Sequence, residues 1–206
     1  MKKDILLFVS CAVLCFVFAS ISAAQTTITF DDITNPGTGT ALASGYSGFT
    51  WTNFFAGTAS AFGPVTGYSN GVVSTPNIAF NGFGNSASLS SASTFTFNSA
   101  YFNAAWNNGL SVTVTGLLSG TPVDSFTFTV NATGAATLET FNWSNINELS
   151  FTSSGGTNVG YPGNGTQFLV DNMEFNQQVS PTPEPPAFFL FLGGVLFIGI
   201  KLLKAR

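Results

Sequence analysis

Seven carboxylates carry all the formal charge between Gln25 and Ser180: Asp31, Asp32, Asp124, Glu139, Glu148, Asp171 and Glu174. That stretch has no lysine, arginine, histidine or cysteine, so its formal charge is −7. Carboxylates alone support two kinds of chemistry: a pair of them can hydrolyse a glycosidic bond, or they can join carbonyl and amide oxygens around calcium. The missing residues exclude more. Without cations there is nothing to neutralise nucleic-acid phosphates, so no nucleic acid is expected as a partner. Without histidine or a thiol there is no Ser/His/Asp or Cys/His nucleophile system and no zinc site of the Cys/His type. A phosphate-binding loop would lack its lysine. Asp124, Glu139 and Glu148 read as isolated acids on strand surfaces or in turns, and their spacing does not make them converge. A non-catalytic protein is therefore expected.

Asp32 and Asp171 stand out among the acids. On a regular strand Asp32 shares a face with Ile28 and Phe30, and Asp171 shares one with Leu169, Met173 and Phe175. An unpaired charge on an apolar face is costly, and the body has no cation to offset it. Backbone amides, serines or a metal ion would have to do so. With Asp31 and Asn172 beside them, these residues form a candidate structural Ca²⁺ site. A strand end or a bulge would instead turn the carboxylates to water.

Aromatic side chains are the second candidate. Trp51, Trp106 and Trp143, with Tyr46, Tyr68, Tyr101 and Tyr161, would make a sugar-stacking platform if they were exposed together. Otherwise they belong to the core, because such rings bury large areas. The many phenylalanines read as core or interface.

The elements that position these groups are strands. Phe, Thr, Val, Ser, Asn and Gly dominate, a composition suited to strands and turns. Leu110, Val112 and Val114 alternate with Ser111, Thr113 and Thr115, and Phe126, Phe128 and Val130 alternate with Ser125, Thr127 and Thr129. Both patterns predict half-buried strands. Further strands are expected near 26–30, 49–54, 78–80, 94–97, 101–106, 137–143, 148–152 and 167–175. Asn107-Asn108-Gly109 predicts a hairpin and Ser119-Gly120-Thr121-Pro122 the next reversal. No helix pattern stands out between the termini, and residues 34–48 read as a long surface loop. Many short strands in one domain-sized stretch predict an all-β fold, a single jelly-roll-like antiparallel β-sandwich over residues 25–176.

The ends read as addresses. Lys2 and Lys3 precede an apolar run from Ile5 to Phe18, and Ser22-Ala23-Ala24 supplies small residues before a cut between Ala24 and Gln25. Residues 1–24 are thus expected to be a signal peptide that takes Cys11 and Cys15 with it. Residues 177–186 form a Pro-rich linker. Residues 187–206 form a transmembrane segment, uncharged from Ala187 to Ile200, with a basic tail at Lys201, Lys204 and Arg206. Fourteen helical residues span about 21 Å, short of a bilayer core of about 30 Å, and Leu202, Leu203 and a snorkelling Lys201 narrow the gap. The cations are expected on the cytoplasmic side, leaving the body outside.

Pro183-Glu184-Pro185, the apolar run and the basic end resemble the PEP-CTERM sorting domain of Gram-negative bacteria. Ile28-Thr29-Phe30-Asp31-Asp32, Tyr101–Thr115 and Phe168–Met173 resemble an ectodomain recurrent upstream of such tails. The resemblance implies an exosortase-type processing enzyme as partner and export through the inner membrane to the cell surface or extracellular matrix. It also implies a sandwich similar to carbohydrate-binding modules, in which calcium joins the first and last strands. The function expected is a structural or adhesive component of an exopolysaccharide or biofilm matrix. The alternatives are a carbohydrate-binding module with a defined sugar site and a carboxylate-based glycan hydrolase or lyase.

Overall fold

The computed structural model describes residues 25–176. The expected signal peptide, the Pro183-Glu184-Pro185 motif and the basic tail lie outside the described residues. Among those described, no helix is long and apolar enough to cross a membrane.

Among the described residues, eleven strands follow in chain order: β1 (Thr26–Ile28), β2 (Thr40–Ala41), β3 (Thr50–Thr52), β4 (Phe54–Thr58), β5 (Asn77–Asn81), β6 (Ala87–Ala104), β7 (Asn107–Leu118), β8 (Thr121–Asn131), β9 (Thr137–Ser154), β10 (Thr157–Asn158) and β11 (Phe168–Phe175). All their pairings are antiparallel. The protein is a jelly-roll-like β-sandwich whose layers are joined by hydrogen bonds into one sheet, in the order β10-β7-β9-β6-β11-β5-β4-β2. Strand β8 pairs with β7, β1 with β11 and β3 with β6.

Two long strands make the join. The segments 94–97 and 101–106, expected as separate strands, fall within or beside β6, and 137–143 and 148–152 both fall within β9. The chain bends here without breaking. Register shifts between Ser90 and Ser99 of β6, and positive φ at Asn142 and Asn145 of β9, place bulges in the middle of the pair. A bulge lets a strand turn a corner and pass from one layer to the other. The first part of β6 therefore lies with β3, the second part of β9, β7 and β8. Its last part lies with β11, β5, β4 and β2.

Side chains from both layers meet between them. Leu110, Val112 and Val114 of β7 are fully buried, as their alternation predicted. They share one core with Leu89, Phe97, Phe102, Phe141, Phe151, Phe168, Val170 and Phe175. Phe102 sits at its centre, with ring centroids 4.9 Å from Phe128, 6.1 Å from Phe141 and 6.3 Å from Phe168.

Three local expectations need correction. Asn107-Asn108-Gly109 is not a hairpin between adjacent strands, because β7 starts there and pairs with β8, β9 and β10. Gly109, at φ 68°, sits in a bulge against β8, where its N–H donates to Asn131 Oδ1 at 2.8 Å. An Asn-Gly pair supplies positive φ to a bulge as readily as to a turn. The loop 34–48 carries β2 and a one-turn helix at Tyr46–Gly48. A short helix, α1 (Gly67–Asn70), also forms, with Thr66 Oγ1 accepting from the Ser69 N–H at its start. The reversal at Ser119-Gly120 is present, with both residues at positive φ between β7 and β8.

Replacing Phe102 with Ala empties the middle of this core and is expected to cost about 3–5 kcal/mol. Urea unfolding of both proteins measures it. A loss below about 1 kcal/mol would show that the layers do not close over this ring.

Candidate functional site

Strand β11 decides where the acids go. A bulge interrupts its pairing with β6 between Asp171 and Glu174, and Asn172 takes a φ of 46°. Phe168 and Val170 face the main core before the bulge, and Met173 and Phe175 face it afterwards. Leu169 belongs to a second cluster on the other side of the sheet. Asp171 therefore shares a face with Leu169 and not with Met173 and Phe175, because the extra residue resets the alternation.

Asp171 is buried, with 1% of its surface exposed. Its Oδ2 accepts from the backbone N–H groups of Val73 (2.7 Å) and Ser74 (3.0 Å). Its Oδ1 accepts from the Asn172 N–H (2.7 Å) and the Ser74 hydroxyl (3.1 Å). Burial raises its pKa to about 6, against the lowering effect of those donors. Asp31 reaches the same segment from the other end of the chain, where its Oδ1 accepts from the Asn77 N–H at 2.9 Å. Asn77 Nδ2 in turn donates to the carbonyls of Phe30 and Ile33. Residues 73–77 are thus gripped by acids from the first and last strand regions. Donors directed at Asp171 suit an anion; they do not leave its oxygens free to share a cation.

Asp32 does not face the apolar side. Strand β1 ends at Ile28, Phe30 turns to positive φ, and Asp32 is exposed. Its Oδ1 accepts from the Tyr46 hydroxyl at 2.7 Å, and burial of that hydroxyl together with the nearby carboxylate raises the tyrosine pKa. Asn172 Oδ1 accepts from the Ser74 hydroxyl. Among the described residues no three His, Cys, Asp or Glu side chains are grouped to hold a metal ion. Glu174 accepts from the Ser99 hydroxyl at 2.9 Å.

The three tryptophans do not converge. Trp51 is buried in the main core, with its indole N–H donating to the Tyr46 carbonyl. Trp143 is half-buried against that core, with its ring 4.9 Å from Phe141. Trp106 is half-buried on the opposite side of the sheet, where it meets Tyr68 edge-on at 5.3 Å. Tyr161 accepts from Asn70 Nδ2.

Trp106 marks one end of a row of rings on the outer face of β4 and β5. Phe55 and Phe80 are cross-strand partners and stack at 5.9 Å. Phe80 meets Tyr68 at 5.3 Å and Phe62 at 5.7 Å, and Phe62 lies flat on Tyr68 at 3.8 Å. Phe83 closes the other end, edge-on to Phe55 at 6.1 Å, and is 82% exposed. Offset and edge-to-face contacts of this kind are favourable for aromatic pairs. Gly57 makes room for the row: a Cβ there would lie 2.7 Å from the Phe62 ring.

Phe55, Phe62, Tyr68, Phe80 and Phe83 of this row wall a groove of about 260 Å³, completed by Thr38, Gly39, Gly82 and Gln167. Gln167 Oε1 is the one buried side-chain polar atom found without a hydrogen-bond partner among the described residues. Leaving a buried acceptor unmade costs about 1–3 kcal/mol. The segment held by Asp171 borders a second hollow nearby, lined by Val72, Thr75 and Pro76 together with Ala59, Pro64 and Ser69.

Sequence reasoning missed Phe55, Phe62, Phe80, Phe83 and Gln167. One signal was available, because Phe83 lies between glycines in Asn81-Gly82-Phe83-Gly84-Asn85, and a large apolar residue in a run of turn formers points to water.

The chain matches no protein-family model and no curated protein sequence. Solved structures of similar fold include a DUF4465 family protein from Bacteroides caccae, at 11% identity and a TM-score of 0.51, covering 74% of this chain and 99% of that one. TmCBM61, solved in complex with β-1,4-galactotriose, matches at 9% identity and a TM-score of 0.36, covering 70% of this chain and 97% of that one. The enzymatically active domain of tailspike protein 4 from bacteriophage CBA120 matches at 9% identity and a TM-score of 0.35, covering 66% of this chain and 21% of that one. At 11% identity the likeness to the DUF4465 family protein is one of fold.

The raised pKa of Asp171 predicts a pH dependence. Its folded-state value of about 6 lies above its ordinary value of 3.8, so folding favours proton uptake. The cost of the buried charge is present above about pH 6 and disappears as the pH falls toward the ordinary value. The stability of the wild type relative to Asp171→Asn should therefore rise from about pH 7 to about pH 4, by at most roughly 3 kcal/mol. Denaturant unfolding across that range measures it, and a relative fall would contradict the assignment. Glu139, also raised by burial, is present in both proteins and cancels.

Proposed function

We propose that this chain is exported, sorted to the cell surface, and acts there as a non-catalytic component of an extracellular polysaccharide matrix, holding glycan through the aromatic row. One observation carries the reading. The rings of Phe55, Phe62, Tyr68, Phe80 and Phe83 line an open groove on the outside of the sandwich, with an amide and a hydroxyl at its wall. Aromatic faces take the C–H faces of sugar rings, and a few placed polar groups take the hydroxyls, the usual make-up of a small-ligand site.

The acids support a non-catalytic role. Asp31, Asp32, Asp171 and Glu174 each accept hydrogen bonds within the fold. A carboxylate pair working on a glycan needs to face its substrate across a few ångströms, and none of the residues that line the aromatic groove is acidic. The terminal sequences support the location. A leader-like start, the Pro183-Glu184-Pro185 motif, and an apolar run ending in Lys201, Lys204 and Arg206 favour membrane-directed export. The PEP-CTERM resemblance adds an exosortase-type enzyme as the processing partner.

Phe83→Ala tests the site. The ring is largely exposed, so the melting temperature should move little. Retention on immobilised neutral polysaccharide should fall about tenfold, the equivalent of about 1.4 kcal/mol. A variant retained as strongly as the wild type would contradict the assignment of the row as the glycan contact.

A further inference from the structure

We infer that the outer edge of β8 is a docking edge for a second copy of this chain, which adds its own β8 antiparallel across a two-fold axis. The other edges of the fold give the contrast. Strands β2 and β10 have two residues each, and β1 and β3 have three. The first part of β9 carries Glu139 and runs into the bulges at Asn142 and Asn145. Short length, charge and bulges are the devices that keep a sheet edge from pairing with another chain. Strand β8 has eleven residues and, among those described, pairs on one side only, with β7. Its own devices, Pro122 and Asp124, stand near its start, and residues 125–131 carry neither charge nor proline.

Backbone direction fixes what this edge offers. The Ala132 N–H donates to the Asn107 carbonyl at the start of β7, at 3.1 Å. Successive residues of a strand send their N–H and C=O groups to opposite sides. Val130, Phe128 and Phe126 therefore direct theirs to β7, and Thr129, Thr127 and Ser125 direct theirs outward. The side chains alternate as well: Phe128 and Val130 are buried, and Ser125, Thr127 and Thr129 are exposed. Phe126 shares the core-facing side but lies at its margin. Its ring is 5.5 Å from Phe128 and 6.1 Å from Phe141, yet 43% of the residue is exposed.

A second copy answers both the open backbone and the open ring. An antiparallel pair centred on Thr127 sets Ser125 opposite Thr129, and Phe126 opposite Phe128, of the other copy. Hydroxyl and aromatic pairs of this kind are favourable across strands. Asp124 then falls opposite Val130, so no two carboxylates meet in a body that has no cation to separate them. The new main-chain hydrogen bonds replace bonds to water and set the register, and covering Phe126 supplies affinity. An uncharged edge gives a basic partner no particular hold, whereas its alternation matches itself. The two-fold axis closes the assembly at a dimer. This contact uses neither β4 nor β5 and is independent of the glycan groove.

Sedimentation velocity of the full-length chain in mild detergent, from about 1 μM to about 100 μM, tests it. The wild type should pass from monomer to dimer along the series. Thr127→Lys and Thr127→Glu each place like charges directly opposite one another across the axis. Each should therefore stay monomeric at the highest concentration, a loss of at least about tenfold in dimer affinity. Thr127 is exposed, so their melting temperatures at low concentration should stay close to that of the wild type. An equal mixture of the two variants should dimerise again, because the facing charges are then opposite. A fold defect in either variant would not be repaired by mixing. A wild type that stays monomeric, or that grows past the dimer, would overturn the inference. So would a dimer that both variants leave intact, since its contact then lies elsewhere, the terminal segments included. A mixture that stays monomeric while both variants are folded would overturn it as well.

Discussion

The bulge at Asn172, with the Asp171 carboxylate beside it, is the constraint on which the rest of the architecture depends. A strand of strict alternation would send Asp171, Met173 and Phe175 to one side. One residue at positive φ lets β11 seal the main core with four apolar side chains and still turn Leu169 and Asp171 outward. The outward pair then does two jobs. Leu169 supports the second apolar cluster, and Asp171 binds the turn that leads into β5. Asp31 holds the other end of that turn. The cost of that charge in a cation-free domain is thus partly offset by main-chain N–H groups, which every segment carries.

Fixing that turn sets β5, and β5 sets the ring row. Phe80 stands opposite Phe55 because of the register of β4 and β5, and Ile78 stands opposite Gly57, whose bare backbone admits Phe62. The row therefore does not arise from a flexible loop. It is an outer sheet face partly roofed by residues 59–70, which carry a one-turn helix at Ala59–Phe62 and α1, and left open at Phe83. Preorganised rings lose little freedom when a ligand covers them, which is the general route to useful affinity from a modest contact area.

Much of the fold was legible from residue order. The β7 and β8 alternations, the Ser119-Gly120 reversal and the absence of long helical patterns all follow from local periodicity and turn chemistry. What escaped was the use of positive φ inside strands. Gly109 fell in an expected turn and Asn145 in an expected gap between strands, yet both sit in bulges, as does Asn142 within an expected strand, because asparagine and glycine permit either use and only pairing partners decide. The candidate site was less legible. Asp171 was read as an acid on an apolar face beside Leu169, Met173 and Phe175, but the bulge next to it separates it from the last two. Tryptophans attracted attention by type, whereas exposure depends on the layer that a strand joins. Trp51 went to the core and Phe83 to water.

The account stands or falls on whether ligand covers the outer face of β4 and β5. The most direct measurement is NMR on the protein in detergent, following backbone amides and phenylalanine ring methines while a neutral oligosaccharide is titrated in. The account predicts saturable shifts confined to residues 38–39, 55, 62, 68, 80–83 and 167. Shifts clustered on the exposed face of β7 and β8, or none at ligand concentrations that saturate retention on the parent polysaccharide, would contradict it.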